Sequence, residues 1–359
     1  MSSSSESPLD STTPLNRPIV LIGAGGIVRD AHLPAYRQAG FRIAGIHDLI
    51  EDRARALAAE YGIGRVYPTL SDAASDAPPE AVFDIAVPAA AVPEVLRGLP
   101  DGHGVLIQKP MGETIEQARA IRETCRRKKL TGAVNFQLRF APAVAAARRM
   151  IESGRIGEIV DLEARMTVYT PWQMWPFLER TPRVEILYHS IHYVDLIRSF
   201  LGDPAGVYAK STRHPLAPKL ASTRSIIILD YGDMVRANIE TNHGHAYGPR
   251  HQESFIIWEG TRGAVKTRLG VLLDYPRGLP DEFESVELED GKPPEWKKQE
   301  LAGAWFPEAF MRSMASLMAY LDGATDKLPA SVEDAYRTMA VVEAAYESND
   351  GGGTRVNYD

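Results

Sequence analysis

Strand-like and helix-like patterns alternate through residues 18–136, and this alternation constrains the fold of the chain more than any other feature. Short apolar runs lie at 18–25, 42–48, 82–88, 104–110 and 131–136. Helical patterns separate them, as in residues 52–62, which end at a glycine. Repeated β-α units of this kind predict a parallel, doubly wound sheet of the α/β class. We expect residues 17–137 to form this domain.

The pattern changes near residue 138. Residues 160–170 alternate strictly, as a half-buried antiparallel strand does, with one apolar face made by Val160, Leu162, Ala164, Met166 and Val168. Residues 224–242 and 254–270 predict further strands, and helical patterns follow near Phe310 and after Ser331. We expect residues 138–359 to form a substrate-binding α+β domain with a large, mostly antiparallel open sheet. Its polar face is either solvated or buried between subunits of a homodimer or homotetramer.

Composition excludes several classes of partner. The net charge of −7 provides no general attraction for nucleic acid or an anionic membrane. No apolar run approaches the ~20 residues of a membrane span. The single cysteine, Cys125, fits a reducing compartment, and residues 1–16 have the composition of a disordered tail without targeting features. These observations predict a cytoplasmic protein that binds neither nucleic acid nor membranes.

The segment GAGGIV after the first predicted strand indicates a dinucleotide site. Gly23 allows a tight turn, and Gly25 lets the backbone approach a pyrophosphate at a helix N-terminus. We expect the whole turn to contact the cofactor, that is Gly23, Gly25, Gly26, Ile27 and Val28. The alternative is a helix-capping glycine turn without a ligand.

Asp48 follows the second predicted strand, 20 residues beyond Val28. A carboxylate at this position accepts hydrogen bonds from ribose hydroxyls and repels a 2′-phosphate, which favours NAD. Arg53 lies close behind in the sequence and leaves NADP as the alternative cofactor.

Lys109 lies at the carboxyl end of a predicted strand, where ligands bind in open α/β sheets. A partly desolvated lysine near a positively charged nicotinamide has a lowered pKa and can donate to a substrate oxygen or transfer a proton. The alternative is a lysine that only caps strand carbonyls.

A polar stripe runs along the predicted helix of residues 185–202. Tyr188, His192, Asp195 and Ser199 share one side of it, and His189 lies beside them. His192 is suited to take the proton from a hydroxyl as hydride leaves its carbon. The alternative is a core histidine bonded to Asp195.

The histidine pairs at 189/192 and 243/245 raise the question of a zinc site. No cysteine or carboxylate at a suitable spacing completes a ligand set, so we expect no metal.

Four segments together resemble the Gfo/Idh/MocA oxidoreductases, which include glucose–fructose oxidoreductase and inositol dehydrogenase. Residues 23–36 are similar to the nucleotide turn of that family, and QKP at 108–110 resembles its Glu-Lys-Pro. Residues 135–142 resemble the Asn-x-x-x-Arg-Phe-x-Pro stretch that leads into the second domain. Residues 192–202 match the segment in which a catalytic histidine precedes an aspartate by three residues.

The resemblance implies roles for further residues. Lys109 would contact the substrate close to the nicotinamide, and Pro88 and Gln108 would contribute to cofactor binding. Asn135 and Arg139 would contribute to substrate binding.

The sequence departs from the family pattern at the site. Gln108 replaces the glutamate, which removes a negative charge beside the lysine. Tyr188 replaces the aspartate four residues before His192, and Ser190 replaces the usual glycine. A phenol can hydrogen-bond a histidine but carries no charge at pH 7. Ala89 follows Pro88 where the family has asparagine.

We therefore expect an NAD-dependent dehydrogenase or reductase that acts on a hydroxyl or carbonyl carbon of a sugar or polyol. His192 would be the acid/base and Lys109 would polarise the oxygen, with Tyr188 and His189 assisting. Trp172 would stack on a sugar face, unless it only packs in the core. Two alternatives are transient oxidation by tightly held NAD, serving elimination or glycoside cleavage, and a nucleotide-binding regulator with a degenerate site.

Overall fold

A computed structural model describes residues 15–275 and 277–354. The disordered tail predicted for residues 1–16 lies outside these residues except for its last two. The chain divides into two compact units. The first contains the chain up to Pro142 together with Trp305–Met339, and the second contains Ala143–Ala304 and the chain from Ala340 on.

The first unit contains a six-stranded parallel sheet with the strand order β3-β2-β1-β4-β5-β6. The strands are β1 (Ile19–Ile22), β2 (Ile43–His47), β3 (Val66–Tyr67), β4 (Val82–Ile85), β5 (Gly104–Gln108) and β6 (Thr131–Asn135). The helices between them are α1 (Leu33–Ala39), α2 (Glu51–Tyr61), α3 (Leu70–Asp76), α4 (Val92–Gly98) and α5 (Ile115–Arg127).

The order of these strands locates the ligand crevice. Connections run outward in opposite directions from β1 and β4, so the switch point of the sheet lies between these two strands. Doubly wound sheets bind ligands at such a point, outside the carboxyl ends of the strands. Every residue of β1 and β4 is buried, as expected of central strands covered on both faces.

The expected doubly wound α/β fold of the first unit is confirmed, and each of the five predicted strands is present. The short strand β3 was not predicted. It contains only two residues, which is too few for an alternating or continuous apolar pattern.

The second unit contains an eight-stranded sheet with the order β14-β13-β12-β11-β7-β10-β9-β8. Its strands are β7 (Ile159–Thr167), β8 (Gly206–Thr212), β9 (Arg224–Asp230), β10 (Arg236–Asn242), β11 (Glu253–Gly260), β12 (Gly263–Arg268), β13 (Glu282–Glu287) and β14 (Lys297–Gln299). Two helices in the same stretch of chain are α6 (Pro142–Glu152) and α7 (Ile191–Leu201).

One face of this sheet is buried and the other is partly open, as the alternation of β7 predicted. Leu162, Ala164 and Met166 are buried, whereas the intervening residues are half-buried. The mostly antiparallel open sheet is confirmed, with one difference: β7 pairs antiparallel with β11 but parallel with β10. Burial alternation has the same period in both kinds of pairing, so it does not distinguish them.

Two further helices, α8 (Glu308–Leu321) and α9 (Val332–Gly351), change the expected domain boundaries. We expected residues 138–359 to form one domain, but Trp305–Met339 belong to the first unit. The physical reason is hydrophobic packing. Phe310, Met314 and Leu317 of α8 lie in the same buried cluster as residues of β1 and α1.

Candidate active site

The glycine turn follows β1 at its carboxyl end. Gly23 has a φ of 115°, and a Cβ there would lie 2.4 Å from the carbonyl oxygen of Ala86, so only glycine fits. A Cβ on Gly25 would meet no atom within 4 Å. Packing within the protein therefore does not require glycine at position 25, and the missing Cβ leaves room for a ligand to approach the backbone. The residues present fit a dinucleotide phosphate.

A helical segment begins directly after this turn. The first amides of a helix lack intrahelical partners and form an anion-binding end. Gly26 is exposed, Ile27 is half-buried and Val28 is fully buried. The surface available for the predicted contacts with the cofactor therefore decreases from Gly26 to Val28. Val28 anchors the segment in the core rather than facing solvent.

Asp48 lies just beyond β2 and is partly exposed. One carboxylate oxygen accepts a hydrogen bond from the backbone N–H of Ala24 at 2.7 Å. The other accepts from the N–H of Ile50 at 2.7 Å. An ionised carboxylate has about four acceptor positions, so Asp48 can hold the glycine turn and still accept from a ribose. Arg53 is exposed on the first turns of α2.

A buried polar cluster, which the sequence did not indicate, holds the helical segment that follows the glycine turn. His32 ends a π-helical turn over Val28–His32. Its Nδ1 lies 2.7 Å from Oδ2 of Asp84 in β4, and the hydroxyl of Tyr36 donates to the same oxygen at 2.8 Å. All three side chains are fully buried. The signal available in the sequence was the i, i+4 spacing of His32 and Tyr36 after the glycine turn.

Lys109 directly follows the carboxyl end of β5, on the same side of the parallel sheet as the glycine turn after β1. Burial lowers the pKa of its amine from the usual 10.5 to about 8. The peptide bond between Lys109 and Pro110 is cis. Pro88 follows the adjacent strand β4 and precedes the short helix Ala89–Ala91.

Gln108 and Asn135 form a pair at the ends of β5 and β6. The Asn135 amide nitrogen donates to Oε1 of Gln108 at 3.0 Å, and Asn135 is fully buried. Arg139 lies 2.6 Å from Asp334 in an ion pair. Asn135 and Arg139, both expected to bind substrate, thus have partners within the first unit.

The second unit carries the histidine segment. A π-helical turn over Ile186–Ser190 leads into α7. His192 and Asp195 are buried, whereas Tyr188 and His189 are half-buried. The ring of Tyr188 lies edge-on to Phe177 at 5.7 Å between ring centroids.

Three aromatic rings meet beside this turn. His189 lies 4.5 Å from His243, and Trp172 lies edge-on to His189 at 5.1 Å, measured between ring centroids. Trp172 thus packs against histidines in this structure. His245 is separate, with its Nε2 3.3 Å from the carbonyl oxygen of Arg250. Within residues 15–275 and 277–354, no group of three or more His, Cys, Asp or Glu side chains is arranged to hold a metal ion.

Two family models match the two parts of the chain. Residues 17–136 match the model described as "oxidoreductase family, NAD-binding Rossmann fold". Residues 144–266 match the Gfo/Idh/MocA C-terminal domain. The chain belongs to the Gfo/Idh/MocA oxidoreductase family.

Relatives in this family include named dehydrogenases. D-apiose dehydrogenase from Rhizobium rhizogenes is 26% identical over 262 residues, which are 69% of this chain and 71% of the relative. Inositol 2-dehydrogenase 2 from Saccharopolyspora erythraea is 27% identical over 325 residues, 88% and 87% of the two chains.

The fold is also that of solved structures. An oxidoreductase from Agrobacterium radiobacter, crystallised with NAD⁺, L-tartaric acid and magnesium, superposes with a TM-score of 0.77 at 24% identity. The match covers 94% of this chain and 97% of the other.

This Gfo/Idh/MocA protein is therefore an oxidoreductase of the dehydrogenase and reductase class, and its first unit is an NAD-binding Rossmann domain. In that unit, the glycine turn, Asp48 and Lys109 follow the carboxyl ends of β1, β2 and β5. Among the described residues, no helix is both long and apolar enough to cross a membrane.

Proposed function

We propose that this protein transfers a hydride between a nicotinamide cofactor and a hydroxyl-bearing carbon of a sugar or polyol. The observation that carries the proposal is Lys109, which lies at the carboxyl end of β5 and has a pKa that burial lowers to about 8. A lysine tuned toward neutrality is costly to keep in a protein unless it exchanges protons or binds a ligand.

The bound nicotinamide supplies the hydride chemistry, and the protein supplies orientation and proton transfer. The ammonium of Lys109 donates to the substrate oxygen and stabilises the negative charge that develops there. His192 takes the hydroxyl proton during oxidation and returns it during reduction, with Tyr188 and His189 assisting. Asn135, Arg139 and Trp172 already contact other residues of the protein. We therefore propose them as substrate contacts only after Lys109 and His192.

The names of the relatives support the substrate class. The two relatives described above are named for D-apiose and inositol, a branched sugar and a cyclic polyol. Both present secondary hydroxyls, the group that an acid/base histidine and a donor lysine are suited to handle. NAD is the proposed cofactor because Asp48 lies where a 2′-phosphate would be repelled.

The test measures NADH absorbance during incubation with NAD and a panel of aldoses, polyols and sugar acids. For the best substrate, we expect Lys109→Met to lower kcat/KM by about 100-fold or more, the usual effect of losing a group that transfers or shares a proton. NADH binding should persist, because the glycine turn and Asp48 are unchanged. Lys327→Met, on an exposed loop of the same unit, is the matched control.

Full activity of Lys109→Met would contradict the role of this lysine. Absence of NADH formation from every substrate, despite measurable NADH binding, would instead favour transient oxidation or a regulatory role. Product analysis without added cofactor separates these two, because transient oxidation consumes substrate without net redox change.

We also propose that the open face of the eight-stranded sheet is the surface through which the protein forms a homodimer or homotetramer. Tyr208 of β8 and Ile226 and Ile228 of β9 are 64%, 54% and 46% exposed. Tyr208 and Ile228 are direct cross-strand neighbours, so these side chains form one apolar patch.

A further inference from the structure

Glu185 is a buried carboxylate that the proposed mechanism does not use. It directly precedes the π-helical turn Ile186–Ser190 and is fully buried. The hydroxyl of Ser190 donates to its two oxygens at 2.8 and 3.1 Å. Burial of a carboxylate is unfavourable unless polar partners compensate, so the position of Glu185 calls for a specific reason.

Three hydroxyl groups lie around this carboxylate. The Ser190 hydroxyl lies 3.1 Å from that of Ser225 in β9, which lies 2.9 Å from that of Thr241 in β10. Burial raises the pKa of Glu185, and the hydroxyls of Ser225, Thr241 and Ser190 oppose that rise. An acceptor surrounded by donors suits the ionised form, because an ionised carboxylate only accepts hydrogen bonds.

The carboxylate faces an imidazole. Oε1 of Glu185 lies 3.7 Å from Nε2 of His243, which is an electrostatic distance rather than a hydrogen bond. On the other side of the ring, Nδ1 lies 2.9 Å from the hydroxyl of Thr170. A carboxylate near Nε2 favours the tautomer that carries its proton there, so the Thr170 hydroxyl then donates to Nδ1.

His243 packs against the histidine segment. Its ring lies 4.5 Å from the ring of His189, with an angle of 43° between the ring planes. Trp172 lies against both rings, at 5.1 Å from His189 and 5.9 Å from His243. The positions of the two imidazoles are thus determined by the same packed group.

Three ionisable groups that interact with Glu185 are neutral near pH 7, namely those of His243, Tyr193 and Tyr346. Burial lowers the pKa of His243 to about 4. Burial also raises the pKa values of Tyr193 in α7 and Tyr346 in α9, and the charge of Glu185 raises them further. Among these four residues, Glu185 is the one whose side chain can supply a negative charge to the histidines.

We propose that Glu185 is the positioning carboxylate of the histidine segment, and that it acts through His243 on His189. It would supply a negative charge to His189 from one helical turn earlier in the chain. An acid/base imidazole needs a partner that selects its tautomer and stabilises its protonated form. This inference rests on the proposed function.

The first arm of the test is kinetic and uses Glu185→Gln, which keeps the shape and removes the charge. We expect kcat/KM for oxidation to fall by about 10- to 100-fold, by analogy with the loss of an outer partner of a metal-binding histidine. Glu179→Gln is the control, since Glu179 is exposed and lies 3.4 Å from Lys219.

The second arm does not depend on activity. Long-range ¹H–¹⁵N spectra of the histidine rings report the tautomer and titration of each imidazole, with His189 and His243 assigned through single substitutions. We expect His243 to carry its proton on Nε2 in the parent protein and to lose this preference in Glu185→Gln. The titration midpoint of His189 should fall in the same variant.

Unchanged kinetics and unchanged histidine spectra in Glu185→Gln would overturn the inference. A parent protein that oxidises no member of the panel would contradict the proposed function alone, since the spectra still decide whether Glu185 acts on the two histidines.

If Glu185→Gln does not fold, Thr170→Val replaces it. That variant should weaken the tautomer preference of His243, and an unchanged preference would count against the chain of contacts.

Discussion

Lys109 shows how the environment of one residue sets a pH dependence. Its amine is desolvated beside the end of β5, and the neighbouring Gln108 is neutral and bonded to Asn135. A glutamate at position 108 would oppose the fall in pKa by stabilising the ammonium. The substitution of glutamate by glutamine therefore favours a lysine that titrates close to neutral pH.

We expect kcat/KM for substrate oxidation to fall above a midpoint near pH 8, because Lys109 must be protonated to donate and has a pKa of about 8. A lysine with the ordinary pKa would remain protonated until about pH 10. The measurement is a pH profile from about pH 6 to pH 10.

Lys109→Arg provides the matched comparison for this profile. Arginine stays protonated throughout the range, so the variant should lose the alkaline limb while having a lower maximum rate. A parent profile that is flat up to about pH 9 would contradict the assignment.

At the scale of elements, a π-helical turn leads directly into an α-helix both after the glycine turn and at the start of the histidine segment. These turns are Val28–His32 ahead of α1 and Ile186–Ser190 ahead of α7. A π turn contains one extra residue and often occurs at functional sites. Each turn is also tied to a strand through buried polar contacts, by His32 to β4 and by Ser190 to β9.

The first of these ties predicts a stability effect. Asp84→Asn should lower the free energy of unfolding by about 3 kcal/mol, because two buried donors converge on one oxygen of a carboxylate that the amide replaces. Tyr36→Phe should lower it by about 1 kcal/mol, since it removes a single hydrogen bond. Urea denaturation measures both values.

Asp101→Asn, an exposed substitution that precedes β5, is the control for the urea experiment. Equal stability of Asp84→Asn and the parent protein would show that the cluster contributes nothing to the folded state. Weaker NADH binding should accompany the loss of stability, because His32 lies on the helical segment that follows the glycine turn.

At the scale of the whole molecule, the eight-stranded sheet is packed on one face and leaves apolar side chains on the other. An apolar patch on a sheet face is a common subunit interface, because its burial removes hydrocarbon from water. The patch formed by Tyr208, Ile226 and Ile228 lies on two adjacent strands at one side of the sheet.

We expect Ile226→Lys to convert the homo-oligomer into a monomer, because it replaces one apolar side chain of the patch by a charged one. Size-exclusion chromatography with light scattering measures the mass directly. Leu216→Lys is the control, since Leu216 is 70% exposed in a loop outside the strands. A parent protein that is monomeric, or a variant that keeps the parent mass, would contradict the interface.

Local patterns in the sequence were sufficient to predict the class of fold, five strands of the parallel sheet and the position of Lys109 at a strand end. These features depend on residues close together in the chain, where apolar periodicity, glycine turns and helix caps act. The requirement for glycine at position 23 was also predictable, because a tight turn after a buried strand requires a conformation that other residues avoid.

Other features were decided only by the tertiary structure. The membership of α8 in the first unit depends on packing against β1 and α1, nearly 300 positions away in the chain. The Gln108–Asn135 pair depends on which strands are neighbours and in which register they pair. The Glu185–His243 contact depends on how the π-helical turn that follows Glu185 packs beside the end of β10. Strand neighbours and register are set by the burial of the whole sheet, so a polar residue's partner across that sheet cannot be derived from the residues that flank it.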